Sequence, residues 1–99
     1  MKRYRLTALA RQDLIDIRTF TKAQWGTEQA RHYLKGIERD YIRFAENPML
    51  GRDYSHAMEG YRAWTSGSHV IYATVEGEIL IIRRILHKNR DAPRHLQGE

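Results

Sequence analysis

Residues 78–87 read Glu78-Ile79-Leu80-Ile81-Ile82-Arg83-Arg84-Ile85-Leu86-His87. Successive side chains of a strand point to opposite faces, so Leu80, Ile82, Arg84 and Leu86 share one face. Ile79, Ile81, Arg83, Ile85 and His87 share the other. Both faces are largely apolar, the pattern of a strand covered on both sides. Arg84, set between Ile82 and Leu86, needs a partner if it is even half-buried. Asp13, Asp16 or a backbone carbonyl are the candidates. Upstream, Tyr61 to Thr65 leads through Ser66-Gly67 into His69 to Val75, and Glu76-Gly77 turns the chain into the quoted strand. Two glycine-containing hairpin turns predict a three-stranded antiparallel meander.

The layer that covers this sheet lies earlier in the chain. Thr7 is a candidate N-cap, followed by Ala10, Leu14, Ile17 and Thr21 at helical spacing, with Phe20 widening the stripe. Trp25-Gly26 ends that helix. Thr27 is read as a second N-cap, and Ala30, Tyr33, Leu34, Ile37, Tyr41, Phe44 and Ala45 fall on one face until Asn47-Pro48 stops the helix. The short connection folds the two helices into a hairpin. Residues 3–7 read as a short strand, 49–60 as a loop, and 91–97 as one or two helical turns with Asp91 capping and Pro93 in the first turn. The expected architecture is α+β in the order β-α-α-β-β-β, a helical hairpin on a small, mostly antiparallel sheet, within one domain spanning 1–99.

The chain has 99 residues, 17 Lys+Arg against 12 Asp+Glu and no Cys. A disulfide framework, a thiolate metal site and a Cys nucleophile are thereby excluded. No apolar run approaches the roughly 18 residues of a membrane span. The N-terminus lacks the apolar stretch of a secretory signal, so a cytoplasmic location is expected. The net charge of +5 is uneven. Residues 1–5 carry +3 and residues 83–95 carry +4, whereas residues 6–82, with nine basic and ten acidic side chains, are nearly neutral. No extended basic stripe along the two helices, of the kind that tracks a duplex, is therefore expected. Should the first and last strands be neighbours, the two basic ends would form one edge suited to an acidic protein surface.

His32, His56, His69, His87 and His95 show no metal-ligand spacing, so neither a metal nor another cofactor is expected. Ser66 and Ser68 flank a turn glycine, which explains them without nucleophilic chemistry. The basic set Arg62, His69, Arg84, His87, Lys88, Arg90 and Arg94 remains. Such residues can stabilise charge and move protons in an RNA-cleaving site, hold a phosphate backbone, meet an acidic protein, or form a solvated rim.

The ordered set Tyr4-Arg5-Leu6-Thr7, Ala10, Asp13-Leu14, Ile17, Thr21, Trp25-Gly26, Gln29-Ala30 and Tyr33-Leu34 resembles ParE toxins. So do Asn47-Pro48, Gly51-Arg52, Gly60-Tyr61-Arg62, Gly67 to Tyr72, Arg84 to His87, Asp91 and His95-Leu96. The resemblance spans nearly the whole chain and implies the RelE/ParE fold. It further implies a toxin of a type II toxin–antitoxin pair that poisons DNA gyrase without catalysis. A cognate ParD-like antitoxin would neutralise it, in a toxin homodimer or a toxin–antitoxin hetero-oligomer. The candidate antitoxin surface is the hairpin, through Leu14, Ile17, Phe20, Trp25, Tyr33, Ile37 and Tyr41. The candidate target surface is Arg84, His87, Lys88, Arg90, Arg94 and His95. The alternative within the superfamily is a RelE-like, ribosome-dependent and metal-independent mRNA endonuclease. Its basic and catalytic positions fall on Gly60, Arg62, His69, Asn89 and His95, of which Gly60 and Asn89 cannot supply a cation. In that alternative Arg62, His69, His87 and His95 would act.

Overall fold

The computed structural model describes residues 3–96. Strand β1 (Arg3–Leu6) leads into helices α1 (Ala8–Trp25) and α2 (Thr27–Glu46), and a single 3-10 turn (Pro48–Leu50) follows. Strands β2 (Arg52–Asp53), β3 (Arg62–Ser66), β4 (His69–Glu76) and β5 (Ile79–His87) and a short helix α3 (Ala92–Leu96) complete the fold. One five-stranded sheet has the order β1-β5-β4-β3-β2. The meander β3-β4-β5 is antiparallel, and β1 adds to it in parallel, Arg3 opposite Ile79 and Leu6 opposite Ile82. The hairpin covers one face of the sheet; α3 and the 54–58 segment cover the other.

Thr7 couples the first strand to the first helix. Its side-chain oxygen accepts the Ala10 amide at 3.0 Å, the N-cap bond expected of a threonine, and donates to the Arg83 carbonyl at 2.8 Å. The start of α1 is thereby tied to β5. Gly26 alone joins the helices, with φ of 92°. Its N–H closes α1 on the Lys22 carbonyl, and its own carbonyl accepts the Ala30 amide. A one-residue connection that reverses a helix demands this left-handed backbone, which glycine adopts without steric cost. The N-cap of α2 is therefore Gly26, and Thr27, expected to be the cap, is the first helical residue.

The α2 stripe is as expected, with Ala30, Ile37, Tyr41, Phe44 and Ala45 buried. On α1, Ala10, Ile17 and Thr21 turn inward, but Phe20 does not widen the stripe; it is 66% exposed. Asp13 is buried in its place. The expected loop at 49–60 contains the 3-10 turn and the two-residue β2, whose Arg52 and Asp53 lie opposite Ala63 and Arg62. Two residues are too few to show a strand period.

Simple alternation also fails within β5. Tyr72 lies opposite Arg84 and Ala73 opposite Ile82, so Arg83 is an extra residue in a bulge. The bulge exchanges the faces beyond it. Ile85 joins Leu80 and Ile82 beneath the helices, and Leu86 packs with Val70, Tyr72, Ala92 and Leu96 on the opposite face. The expected partition placed Ile85 and Leu86 the other way round.

Candidate functional site

Where β1 gives way to α1, the outer edge of β5 loses its strand partner beyond Ile82. Asp13 occupies that edge. Its carboxylate accepts Arg84 Nε at 2.8 Å, an Arg84 terminal nitrogen at 2.9 Å and the Ile85 amide at 2.9 Å. Arg84 also donates to the His95 carbonyl at 3.3 Å, joining α1, β5 and α3. With side-chain exposures of 14% and 11%, the pair lies inside the fold. Arg84, a candidate for target contact, is committed to this scaffold.

Beside this node, at the ends of β4 and β5, lies an aromatic cluster. His69 and His87 are opposite one another in register, and their rings meet edge to face at 5.4 Å. Tyr33 reaches across from α2. Its hydroxyl accepts the Ser68 amide at 2.9 Å and lies 2.6 Å from His69 Nδ1. The arrangement that uses every group has Tyr33 donating to Nδ1, which leaves the His69 proton on Nε2. Burial pushes the His69 pKa down to about 4; His87 adds to the effect and Asp13 opposes it. His69 is thus neutral at physiological pH. His87 accepts the Asn89 amide on Nδ1 at 3.2 Å. Gly67 permits the close packing of Tyr33, since a Cβ there would lie 2.8 Å from the hydroxyl, and its φ is +60°.

Two adjoining clefts of about 350 Å³ each share Phe20, His69 and His87. One extends past Asp16 and Arg90, the other past Trp25, Gln29 and Tyr33. Trp25 is 72% exposed. A third cleft, of about 340 Å³, runs between α1 and α2 over Leu14, Ala30, Leu34 and Tyr41. Arg18, Lys22, Arg31 and Lys35 line it against Glu38. The two helices are nearly neutral in sum, as their sequence says, yet they gather these four cations at one cleft. Arg31 pairs with Glu28 at 2.7 Å, while Asp13 and Asp40 are engaged elsewhere, Asp40 with Ser66 at 2.5 Å. The i, i+4 spacing of Arg18 with Lys22 and of Arg31 with Lys35 was the sequence signal for them.

The candidate antitoxin residues divide by burial. Ile37 and Ile17 belong to the core; Ile37 is fully buried, and Ile17 reaches only the wall of the cleft past Asp16 and Arg90. Tyr41 is also buried, yet it lines the interhelical cleft together with half-buried Leu14. Burial, then the nearby Glu38 and Tyr4, push the Tyr41 pKa up to about 12, so it stays a neutral phenol. Phe20, Trp25 and Tyr33 lie on the histidine side of the hairpin.

The four residues of the nuclease alternative are not assembled. Arg62 donates to the Pro48 carbonyl at 2.9 Å and to the Gly51 carbonyl at 2.5 Å, clamping the 3-10 turn to β3. It pairs with Ala73, four residues along β4 from His69, or about 13 Å. His95 sits half-buried on α3. Only His69 and His87 meet. The two basic ends do not merge either. β1 and β5 are neighbours but parallel, so Arg3 and Arg5 stand beside Ile79 and Ile81. His87 is six residues beyond Ile81, about 20 Å away, and Lys88, Arg90 and Arg94 follow it. Arg83, two residues beyond the partner of Arg5, is bonded to Thr74 and Glu76. Lys2 is outside the described residues. Among the described residues no group of three metal-ligating side chains exists.

Comparison with known proteins gives the chain its kinship. Residues 4–92 match the family model for the ParE toxin of the type II toxin–antitoxin system parDE. Toxin ParE1 of Caulobacter vibrioides is 40% identical over 96 residues, covering 97% of this chain and 99% of that protein. Toxin ParE1 of Mycobacterium tuberculosis is 37% identical over 95% of this chain and 97% of its own length. Toxin ParE of Escherichia coli is 30% identical over 92% of this chain and 89% of its own. A solved chain from the chromosomal ParDE toxin–antitoxin system of P. aeruginosa shares the fold, with a TM-score of 0.78 at 21% identity, over 88% of this chain and 96% of that one. With a family match over almost its full length and relatives at 30–40% identity, the chain belongs to the ParE toxins of type II toxin–antitoxin systems.

Proposed function

We propose that this toxin stops growth by binding DNA gyrase, acts without a catalytic step of its own, and is neutralised in the cytoplasm by a cognate ParD-like antitoxin. The observation that carries the reading is where the cations lie. A phosphodiester-cleaving site without a metal needs cations converging on one phosphate. Here Arg62 and Arg84 are bonded inside the fold, and Lys88, Arg90 and Arg94 are exposed together around the β5–α3 connection. Exposed cations on one short segment suit docking to an acidic protein surface, where charge accelerates encounter and sets register. The interhelical cleft, apolar along its floor and basic at its rim, suits an acidic amphipathic antitoxin segment, and such binding would stabilise a small domain by mass action. Among the described residues no helix is long and apolar enough to cross a membrane.

Purified toxin is expected to inhibit gyrase supercoiling and to accumulate cleaved DNA complexes. Undisturbed supercoiling at stoichiometric excess, with growth arrest intact, overturns the reading. Charge reversal at Lys88, Arg90 and Arg94 should weaken inhibition and spare antitoxin binding. Deleting residues 88–99 is the poorer test, because it also removes Ala92 and Leu96 from the second core. One observation favours the RelE-like alternative: a neutral imidazole, His69, in contact with a second, His87. Cleavage of ribosome-bound message that is lost in His69→Ala would establish it.

A further inference from the structure

The cleft between α1 and the ends of β4 and β5 sets, beside the exposed cations Lys88 and Arg90, aromatic rings and imidazoles that attraction to an acidic protein does not require. Phe20 and Trp25 are the most exposed aromatic rings on the hairpin, and both line it. A soluble domain gains nothing by leaving two such rings bare at one cleft unless they meet something flat and apolar. Polar groups line the same cleft. His69 and His87 each have Nδ1 engaged within the protein, by Tyr33 and by the Asn89 amide, which leaves Nε2 of each ring for a guest. Gln29 contributes an amide that makes no bond among the described residues. Arg90 lines the adjoining half of the cleft, and exposed Lys88 is two residues away.

We propose that this cleft binds an unpaired nucleotide of single-stranded DNA, the base stacking on Trp25 and Phe20 and the phosphate meeting Arg90 and Lys88. Base–aromatic stacking beside a cationic margin is the common chemistry of single-strand recognition. An inserted apolar side chain would cover the rings and strand the imidazole and amide groups without partners. A base edge has donors and acceptors to satisfy them. The acids support a single inserted nucleotide over a long polyanion. Asp13 is neutralised by Arg84, whereas Asp16, bonded to Gln12 at 2.9 Å, leaves a carboxylate on the wall that repels a duplex laid along it. The inference does not depend on gyrase being the target.

The test is fluorescence anisotropy of a labelled oligothymidylate of about 12 nucleotides with the full chain, against a duplex of equal length. The single strand should bind at least 10-fold tighter than the duplex. Trp25→Ala and Phe20→Ala, both at exposed positions, should each weaken it about 10-fold with an unchanged melting temperature. Arg90→Ala should lower the salt dependence of binding. Equal binding of single strand and duplex, or affinity unaltered by Trp25→Ala, overturns the proposal and leaves only general cation attraction. An antitoxin or gyrase fragment that binds in place of the oligonucleotide and loses affinity with Trp25→Ala, while the oligonucleotide does not bind, would assign the cleft to a protein. A supercoiling assay run in parallel separates the readings, since gyrase inhibition without oligonucleotide binding removes this proposal alone.

Discussion

Replacing Asp13 with Ala removes one carboxylate that serves two groups: Arg84, which keeps its bond to the His95 carbonyl but loses its counter-charge, and the Ile85 amide. Arg84, 14% exposed, loses both bonds from its guanidinium to Asp13, and the Ile85 amide loses its acceptor. Breaking a buried ion pair from one side costs about 3–5 kcal/mol, because the remaining charge stays desolvated. A domain of this size has about 5–15 kcal/mol of stability in all, so about a fifth of it or more is at stake. At roughly 4–8 °C per kcal/mol, Asp13→Ala should melt at least about 12 °C lower. Asp13→Asn, which keeps an acceptor but not the charge, should fall between. Asp13→Leu combined with Arg84→Met removes the uncompensated charge and should recover part of the loss, leaving the Ile85 amide and the His95 carbonyl as residual defects. Urea denaturation followed by circular dichroism, with equal slopes for all variants, gives the coupling energy of the cycle. Asp13→Ala within about 0.5 kcal/mol of the parent, or strictly additive single and double variants, would refute the placement of this pair at the centre of the fold.

Gly67→Ala places a Cβ 2.8 Å from the Tyr33 hydroxyl at a φ of +60° and should cost about 1–3 kcal/mol. As Tyr33 is displaced, the His69 pKa should rise toward the ordinary imidazole value, measurable by NMR titration. His69 itself makes stability depend on pH. Its pKa is depressed from 6.5 to about 4 on folding, so the unfolded chain binds more protons between those values. Its contribution is full above pH 6.5 and declines as the pH falls toward 4. With the ring only half-buried, it is roughly 1–2 kcal/mol. His69→Asn should flatten the stability profile over that window, and an unchanged profile would disprove the assignment. Phe44→Ala, which removes a fully buried ring packed edge to face on half-buried Trp64, should cost about 3–5 kcal/mol in the same denaturation assay.

The helices, the hairpin and the meander were legible in the sequence because each rests on local rules: a threonine cap, a glycine stop, a 3.6-residue stripe and glycine turns. β2 was not, since a two-residue strand exists only because β3 offers it an edge. The histidine pair was legible only as two of five histidines. Nothing local says that His69 and His87 face each other or that Tyr33 joins them.

The sequence by itself determined the order of the two long helices and four of the five strands, the family, and Arg84's need for a partner, with Asp13 among the named choices. Tertiary structure decided where the charges lie. The direction of β1 beside β5 separates the two basic ends by about 20 Å, and the bulge at Arg83 exchanges the faces of Ile85 and Leu86. The helical hairpin sets Arg18 and Lys22 across a cleft from Arg31 and Lys35. Strand direction, register and helix pairing are non-local. Backbone pairing and apolar burial select them between segments tens of residues apart, and no window of neighbouring side chains encodes them.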